Sequence, residues 1–379
     1  MASVQKHANG RWKARYRDTN GKEHARHFPR KVDAQRWLDS VTSAVVTGSY
    51  IDPAASRVLV GDWAARWLEG KANLEASTHG RYAGILKTYV FPRWSATRLV
   101  DVSPADVQAW VAQLAAGGLA PASVHKVHRV LSMVLATAVK DGRLPRNPAS
   151  GVDLPRANPA EKQYLDARQV DRLADAAGPG RLVVLVLAYC GLRWGELAAL
   201  KVARVDLLRR RVHVAESVTE VENGRLDWGL PKSHARRWVP LPRFLVEDLA
   251  VHLAGLDPDA LVFPSTAGTA LRVSNARRSW FDRAAADVGV PGLTPHELRH
   301  TAASLAVSAG ANVKAVQRML GHAKASMTLD TYTDLFDDDL EAVGGRLDVV
   351  ARAASAQNLA VNLRSNGDVV ALHADAATV

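Results

Sequence analysis

The segment from Thr294 to Tyr332 reads TPHELRHTAASLAVSAGANVKAVQRMLGHAKASMTLDTY. It gathers His296, Arg299 and His300 within five residues, a third histidine in a Leu-Gly-His turn at His322, and a tyrosine ten residues further on. Thr294, Pro295 and Glu297 spell a helix start: an N-cap hydroxyl, a first-turn proline and a box-closing carboxylate. The helix then carries His296, Arg299 and His300 on one face, at i, i+3 and i+4. Two imidazoles beside a bidentate donor suit a phosphate with a proton to move nearby. Tyr332, bordered by Thr and Asp, is either a core tyrosine tethered by its hydroxyl or a nucleophile. The second role needs cations to stabilise the phenolate and a base to take its proton.

The same residues, His296-Glu297-Leu298-Arg299-His300, match the H-E-x-x-H zinc-protease pattern, with His322 as a candidate third ligand. Three features oppose that reading. Glu297 is already used as the capping residue. Ala303 and Ala306 stand where the extended signature needs Gly and His. Arg299 would set a guanidinium beside a cationic metal.

Two upstream residues supply the missing cations. Arg193 lies in YCGLRWGELAAL, just past a glycine and at a helix start, where the macrodipole disfavours a cation. Its position is better explained by an anion bound beside free backbone N–H groups. Glu196 is either its orienting partner or a first-turn carboxylate. Lys232 occupies the turn Pro231-Lys232-Ser233-His234 between strands. It is either an ordinary exposed turn lysine or a general acid tuned by neighbouring arginines.

Lys+Arg number 49 against 38 Asp+Glu in 379 residues, a net charge of +11. Such a surplus favours a polyanionic partner, nucleic acid ahead of an anionic membrane. The single cysteine, Cys190, excludes a disulfide framework and a cysteine-based zinc site, and in LVVLVLAYCGL it reads as a buried structural thiol. MASVQKHANGRWKARYR has no apolar core, so it is not a signal peptide, and the run around Cys190 is too short to span a bilayer. The expected location is the cytoplasm, on the nucleoid during activity, with no membrane partner.

The chain length allows two or three domains. In the first, 1–50, Trp12, Ala14 and Tyr16 share one strand face and Lys13, Arg15 and Arg17 the other. Asn20-Gly21 turns the chain and KEHARHF returns with Arg26. Val32, Ala34, Trp37, Leu38 and Val41 then recur at helical spacing. Residues 1–36 hold ten Lys/Arg against three acids. A sheet with a cationic face, backed by a helix, fits a DNA groove; the alternative is a solvated edge hairpin. GSYIDPAASRV is a linker. The second domain, 57–148, reads as a four-helix unit. Ser103 caps one helix ahead of Pro104 and Asp106. Ser123 caps another, with Val124, Val127, Leu131, Val134, Leu135 and Ala138 inside and Lys126, His128, Arg129 and Lys140 outside. RLPRNPASGVDLPRANPAEK is a second linker. The third domain, 160–340, opens on an Asp166–Gln169 capping box, runs helical to Leu200, and changes to period two over 211–241. RVHVAESVTEV, Gly224–Trp228 and RRWVPLP read as three antiparallel strands. Helical pattern resumes near Ser274 and continues past Tyr332. The tail, 341–379, is weakly patterned.

GLRWGEL, PKSHARRWVPLP, TPHELRHTAAS, MLGHA and TLDTYTD, in that order, resemble the tyrosine recombinases, specifically the phage-type integrases. The helical unit resembles their core-binding domain, and the basic hairpin unit their three-stranded arm-binding domain. The resemblance implies a multidomain fold, mainly α with small antiparallel β-sheets: an arm-type sheet-plus-helix domain, a helical core-type domain and an α+β catalytic domain. It also implies a site-specific DNA recombinase. Arg193 and Arg299 would clamp the scissile phosphate, and Tyr332 would attack to leave a 3′-phosphotyrosine. Lys232 would protonate the 5′-hydroxyl, His296 act as acid/base, and His322 hydrogen-bond the phosphate, with His300 supporting. The tyrosyl link stores the phosphodiester's energy, so no nucleotide or metal cofactor is implied. The implied partners are double-stranded attachment sites, a homotetramer passing through a Holliday junction, and DNA-bending or directionality proteins. The tail would dock on a neighbouring subunit. Lys13, Arg15, Arg17, Arg26, Lys126 and Arg129 are the DNA-binding candidates. Relaxation of the type IB topoisomerase kind uses similar chemistry, but the two-part front end favours recombination.

Overall fold

Alternating apolar residues place the first strands. β1 (Ser3–Lys6), β2 (Trp12–Arg17) and β3 (Glu23–Phe28) form an antiparallel sheet in that order, followed by α1 (Lys31–Val46). The computed structural model describes residues 2–17, 21–46, 57–157, 163–221, 224–232, 235–322, 347–349 and 351–352. Tyr332 lies outside these residues, as does the tail from 341 apart from its two short described pieces. The chain divides into an N-terminal and a C-terminal unit, each with its own core.

Ala14 and Tyr16 of β2 are buried, as are Ala34 and Leu38 of α1. Trp37 meets the Tyr16 ring at 5.5 Å and the Phe28 ring at 5.6 Å. Val32, expected on the inner stripe, is 57% exposed. It stands in the first turn, where the apolar stripe has not yet reached the sheet.

Farther along the N-terminal unit come α2 (Val60–Glu69), α3 (Ala76–Ile85), α4 (Phe91–Trp94), α5 (Pro104–Ala116) and α6 (Pro121–Lys140). A π-wound turn, Leu86–Val90, joins α3 to α4. Their shared core includes Trp63, Trp67, Trp94 and Trp110 with Leu131 and Leu135. Ser103 Oγ accepts from Asp106 N at 3.1 Å, the cap its sequence indicated. Ser123 is not the cap of α6. Ala120 takes that place and Pro121 opens the helix, because a fixed φ and a missing N–H cost nothing there. The linker after α6 is tied down rather than loose. His128 Nε2 meets Ala149 O at 3.0 Å, His125 Nε2 meets Pro155 O at 2.8 Å, and Asn147 Nδ2 donates to Ser132 O at 3.0 Å. Pro and Asn content marked the absence of regular structure but not these anchors. His128, expected on the outside, is drawn inward by its bond.

In the C-terminal unit, Asp166 and Gln169 form the capping box of α7 (Ala167–Ala176). α8 (Arg181–Cys190) follows, buried on nearly every side and packed against α7 and, farther along the chain, α13 (Glu297–Ser308). Cys190 is buried, and burial pushes its thiol up to about 12, as befits a structural residue. Next come α9 (Trp194–Ala198), β4 (Val205–Asp206), β5 (Arg211–Val214), β6 (Ser217–Glu220), β7 (Leu226–Gly229) and β8 (Arg237–Pro240). α10 (Arg243–Leu253), α11 (Val273–Ala276), α12 (Asp282–Asp287) and α14 (Val313–Leu320) complete the unit with α13.

The strand reading is corrected in two ways. RVHVAESVTEV breaks at Ala215-Glu216 into β5 and β6, which join different sheets: β4-β5-β8 and β6-β7. RRWVP pairs with RVHV, Val212 opposite Val239, and not with Gly224–Trp228. Register follows burial: Val212 and Val239 are both core residues, so they select each other across the intervening hairpin. α10 was not anticipated from sequence, although Leu245 and Leu249, four apart, form its buried stripe.

Core packing of α6 should be costly to disturb, and the exposed Val32 of α1 cheap to truncate. Leu131→Ala is expected to lower stability by about 2–5 kcal/mol, and Val32→Ala by less than about 0.5 kcal/mol, both read from denaturant unfolding of the full chain.

Candidate active site

The described candidate side chains of the C-terminal unit stand at or beside the ends of elements. α8 stops at Gly191, whose φ of +63° is left-handed, and the chain turns directly into Leu192 and Arg193. α14 stops the same way at Gly321, φ +67°, and turns into His322. Both glycines are needed for space as well as conformation. A Cβ at Gly191 would lie 2.7 Å from Leu320 Cδ2, and one at Gly321 would lie 2.9 Å from Arg237 Cδ.

Arg299, in the first turn of α13, joins these two turns. It is buried, with Nη1 donating to Gly191 O at 2.6 Å and Nη2 to Leu320 O at 2.5 Å. One guanidinium thereby fixes the loop that carries Arg193 and the loop that carries His322. Helix ends expose carbonyls that lack intrahelical donors, and Arg299 supplies them.

Arg193 is the N-cap residue of α9. Glu196 Oε2 accepts from Arg193 N at 2.9 Å and Oε1 from Arg193 Nη1 at 2.8 Å. Both readings of Glu196 therefore hold: it orients the arginine and caps the helix. The same carboxylate accepts twice from Arg237 of β8, Nη1 at 2.9 Å and Nη2 at 2.6 Å. The Glu196 side chain has no exposed surface and that of Arg237 is 8% exposed. Burial alone would raise the carboxyl's pKa. The hydrogen bonds and charge of Arg237, with those of Arg193, outweigh it and hold Glu196 ionised below its ordinary value.

Sequence reasoning did not find Arg237. A signal was present: β8 alternates, so Arg237 shares the inward face with buried Val239. An arginine on an inward strand position requires a partner.

The histidines lie in a field of cations. His322, half-buried, is lowered to about 4 by burial and then by Arg299, Arg193, His300 and Arg237. His296 is exposed by area, yet loss of hydration and the charges of Arg299, Arg193 and Lys232 lower its pKa, with Glu297 opposing. Lost hydration contributes most, and the cations add to it. Lys232 itself is exposed in its turn. Arg193, Lys232, His296, Arg299 and His322, drawn from four separate sequence blocks, thus act on one small volume. His300 stands edge-on to His296, rings 5.3 Å apart, and to Tyr164 at 6.5 Å.

α13 begins at Glu297, after a turn, rather than at Pro295. Glu297 Oε2 accepts from Thr294 N at 2.6 Å, the capping half of the expected box, so the carboxylate a zinc protease would use as base is engaged in the helix start. Among the described residues no cluster of His, Cys, Asp and Glu is arranged to hold a metal ion, and no helix is long and apolar enough to cross a membrane.

The DNA-binding candidates divide. Lys13, Arg15 and Arg17 share the sheet face away from Ala14 and Tyr16, whereas Arg26 pairs with Ala14 and belongs to the other face. Its guanidinium lies 5.3 Å from the Phe28 ring centre. Lys126 and Arg129 are exposed one turn apart on α6.

Three family models match in sequence order: the N-terminal domain of phage integrases over residues 2–47, their central domain over 60–153, and the phage integrase family over 163–338. The chain belongs to the phage integrase family of tyrosine recombinases. It is a site-specific tyrosine recombinase, and its HELRH segment is a helix start of that family's catalytic domain. A chain of Mycobacterium tuberculosis (strain CDC 1551 / Oshkosh), named for the integrase of prophage phiRv2, is 28% identical over 344 residues, 86% of this chain and 89% of that one. The Tn1549 transposon integrase, solved with transposon right end DNA, has a similar fold: TM-score 0.66 and 20% identity over 76% of this chain and 99% of that one. The lambda integrase, solved as a tetramer on a Holliday junction, gives TM-score 0.57 and 20% identity over 85% and 96%.

The depressed histidine has a consequence for stability. Its ordinary pKa is 6.5 and its folded value about 4, so the unfolded chain binds more protons between those values and stability falls as pH drops through that window. Melting temperature should decline from about pH 6.5 to about pH 4, and His322→Gln should flatten part of that decline.

Proposed function

We propose that this integrase inserts phage or mobile-element DNA by recombining two double-stranded attachment sites, with Tyr332 as nucleophile. The observation that carries the reading is the convergence of Arg193, Lys232, His296, Arg299 and His322 on one cationic volume, held by Glu196 and backbone carbonyls.

In this reaction Tyr332 Oη attacks the scissile phosphorus and the P–O5′ bond breaks. The 3′-phosphate remains on the tyrosine. Arg193 and Arg299 neutralise the non-bridging oxygens as charge builds in the transition state. His322 hydrogen-bonds the same phosphate. His296, held below its ordinary pKa by lost hydration and then by the neighbouring cations, accepts the phenolic proton. Lys232 gives its proton to the departing O5′. Rejoining reverses these steps, so the link's energy is conserved and no nucleotide or metal takes part.

The remaining assignments follow the same logic. Residues 1–50 are the arm-type domain, with Lys13, Arg15 and Arg17 facing DNA and Arg26 at the sheet's other face. Residues 57–148 grip the core site through Lys126 and Arg129, 160–340 is the catalytic domain, and the tail 341–379 docks on a neighbouring subunit. The assembly is a homotetramer on paired sites, for which the lambda integrase tetramer is the precedent. Cytoplasmic action on the nucleoid and help from DNA-bending or directionality proteins complete the proposal.

On a nicked attachment-site substrate the wild type should accumulate a covalent protein–DNA adduct, and Tyr332→Phe should form none. An adduct surviving that substitution overturns the assignment. Deleting residues 1–50 should impair recombination between full sites more than binding to the core site, measured by recombination assay and gel shift. Equal losses would refute the arm-domain role.

A further inference from the structure

Arg237 makes contacts that no part of the reaction scheme uses. Its Nη1 and Nη2 grip both oxygens of Glu196, the carboxylate that holds Arg193. Its Nε donates to Met319 O at 2.9 Å, in the last turn of α14, three residues before His322. Its aliphatic stem fills the space that a side chain at Gly321 would need, with Cδ 2.9 Å from the ideal Cβ position there. β8, which carries it, opens just after the turn that holds Lys232.

One side chain therefore touches two separate supports of the site, and its strand leads from a third. Through Glu196 it reaches Arg193, through Met319 it reaches the turn bearing His322, and through its own strand it adjoins the Lys232 turn. Arg299 also braces the Gly191 and Leu320 turns, but it does so from α13 and is itself a member of the proposed phosphate clamp. Arg237 is bonded away from that point, with Nε, Nη1 and Nη2 all donating to protein acceptors.

The choice of arginine fits this task. A planar guanidinium can satisfy a carboxylate with two parallel bonds while Nε addresses a third acceptor. A lysine ammonium brings the same charge but cannot hold that fork geometry. Burial adds stiffness, because a group this enclosed cannot exchange its partners for water without leaving Glu196 an underpaired buried charge.

We propose that Arg237 is a positioning residue of this recombinase, a brace that locks the Arg193 guanidinium and the His322 turn in register with each other. It rests on the proposed roles of Arg193 and His322. Arg237 does not touch DNA. Its loss would loosen the phosphate clamp while leaving the DNA-binding surfaces of the chain in place. Misplacement of clamping groups by about 1 Å costs about a hundredfold in rate.

The test compares full-length wild type, Arg237→Lys, Glu196→Gln and the double variant on a nicked attachment-site substrate. Binding is read by gel shift, and cleavage by single-turnover accumulation of the covalent adduct at saturating protein. Expected for Arg237→Lys is a cleavage rate down about a hundredfold, with the dissociation constant within about twofold of wild type and near-UV circular dichroism unchanged. If Arg237 acts through Glu196, the double variant should be little slower than the worse single variant, because coupled groups lose their effect once. Wild-type cleavage by Arg237→Lys overturns the proposal. So does a parallel loss of binding and cleavage, which marks a general structural role. Fully multiplicative losses in the double variant also refute the link through Glu196. If the wild type itself forms no adduct, the functional reading fails instead, and that outcome is seen separately in the same gel.

Discussion

A carboxylate with no exposed surface, Glu196, holds the catalytic unit's charge in place. An unpaired buried carboxylate would be too costly to retain. Here it receives Arg193 from its own helix start and Arg237 from a strand forty-one positions later. The trio carries a net positive charge. It brings a helix, a sheet and, through Met319, a second helix end to one point. Each arginine needs the carboxylate to be oriented, and the carboxylate needs both to stay ionised.

Around that centre the site gathers cationic and hydrogen-bonding groups. Arg299 spends donors on the carbonyls of Gly191 and Leu320, which fixes its plane and binds two helix ends together. Left-handed glycines make those ends turn sharply enough to bring Arg193 and His322 inward. Burial, and then the resulting field, lower the pKa of His322 and His296.

Much of the architecture was legible because it rests on local rules. The Ser103 cap, the Asp166–Gln169 box, the α6 stripe and the alternation of β2 all follow from spacing along a few residues. The larger errors fall where partners distant in sequence decide, the smaller ones at helix starts. β8 chose β5 across an intervening hairpin, because Val212 and Val239 share a core. Pro121 displaced Ser123 from the start of α6, and Val32 stayed outside a stripe that its spacing had placed within. Arg26 shared a charge type with Lys13, Arg15 and Arg17, but only the pairing register reveals that it points the other way.

The same division holds at the site. By itself the sequence determined the residue types and their order: Arg193, Lys232, His296, Arg299, His322 and Tyr332, in blocks that resemble one family, on helix ends marked by glycine and proline. Charge and hydrogen-bonding capacity are properties of single residues, so they survive without coordinates. Tertiary structure decided which of those groups share a volume, what holds them, and in which protonation state they rest. HELRH could be read as two chemistries until Glu297 was found bonded to Thr294 N and Arg299 to two helix ends. Alternation could mark Arg237 as inward-facing, but not its partners, Glu196 and Met319, which are forty-one and eighty-two positions away in the chain. Electrostatic energy depends on distance and burial, and neither is written in the order of residues.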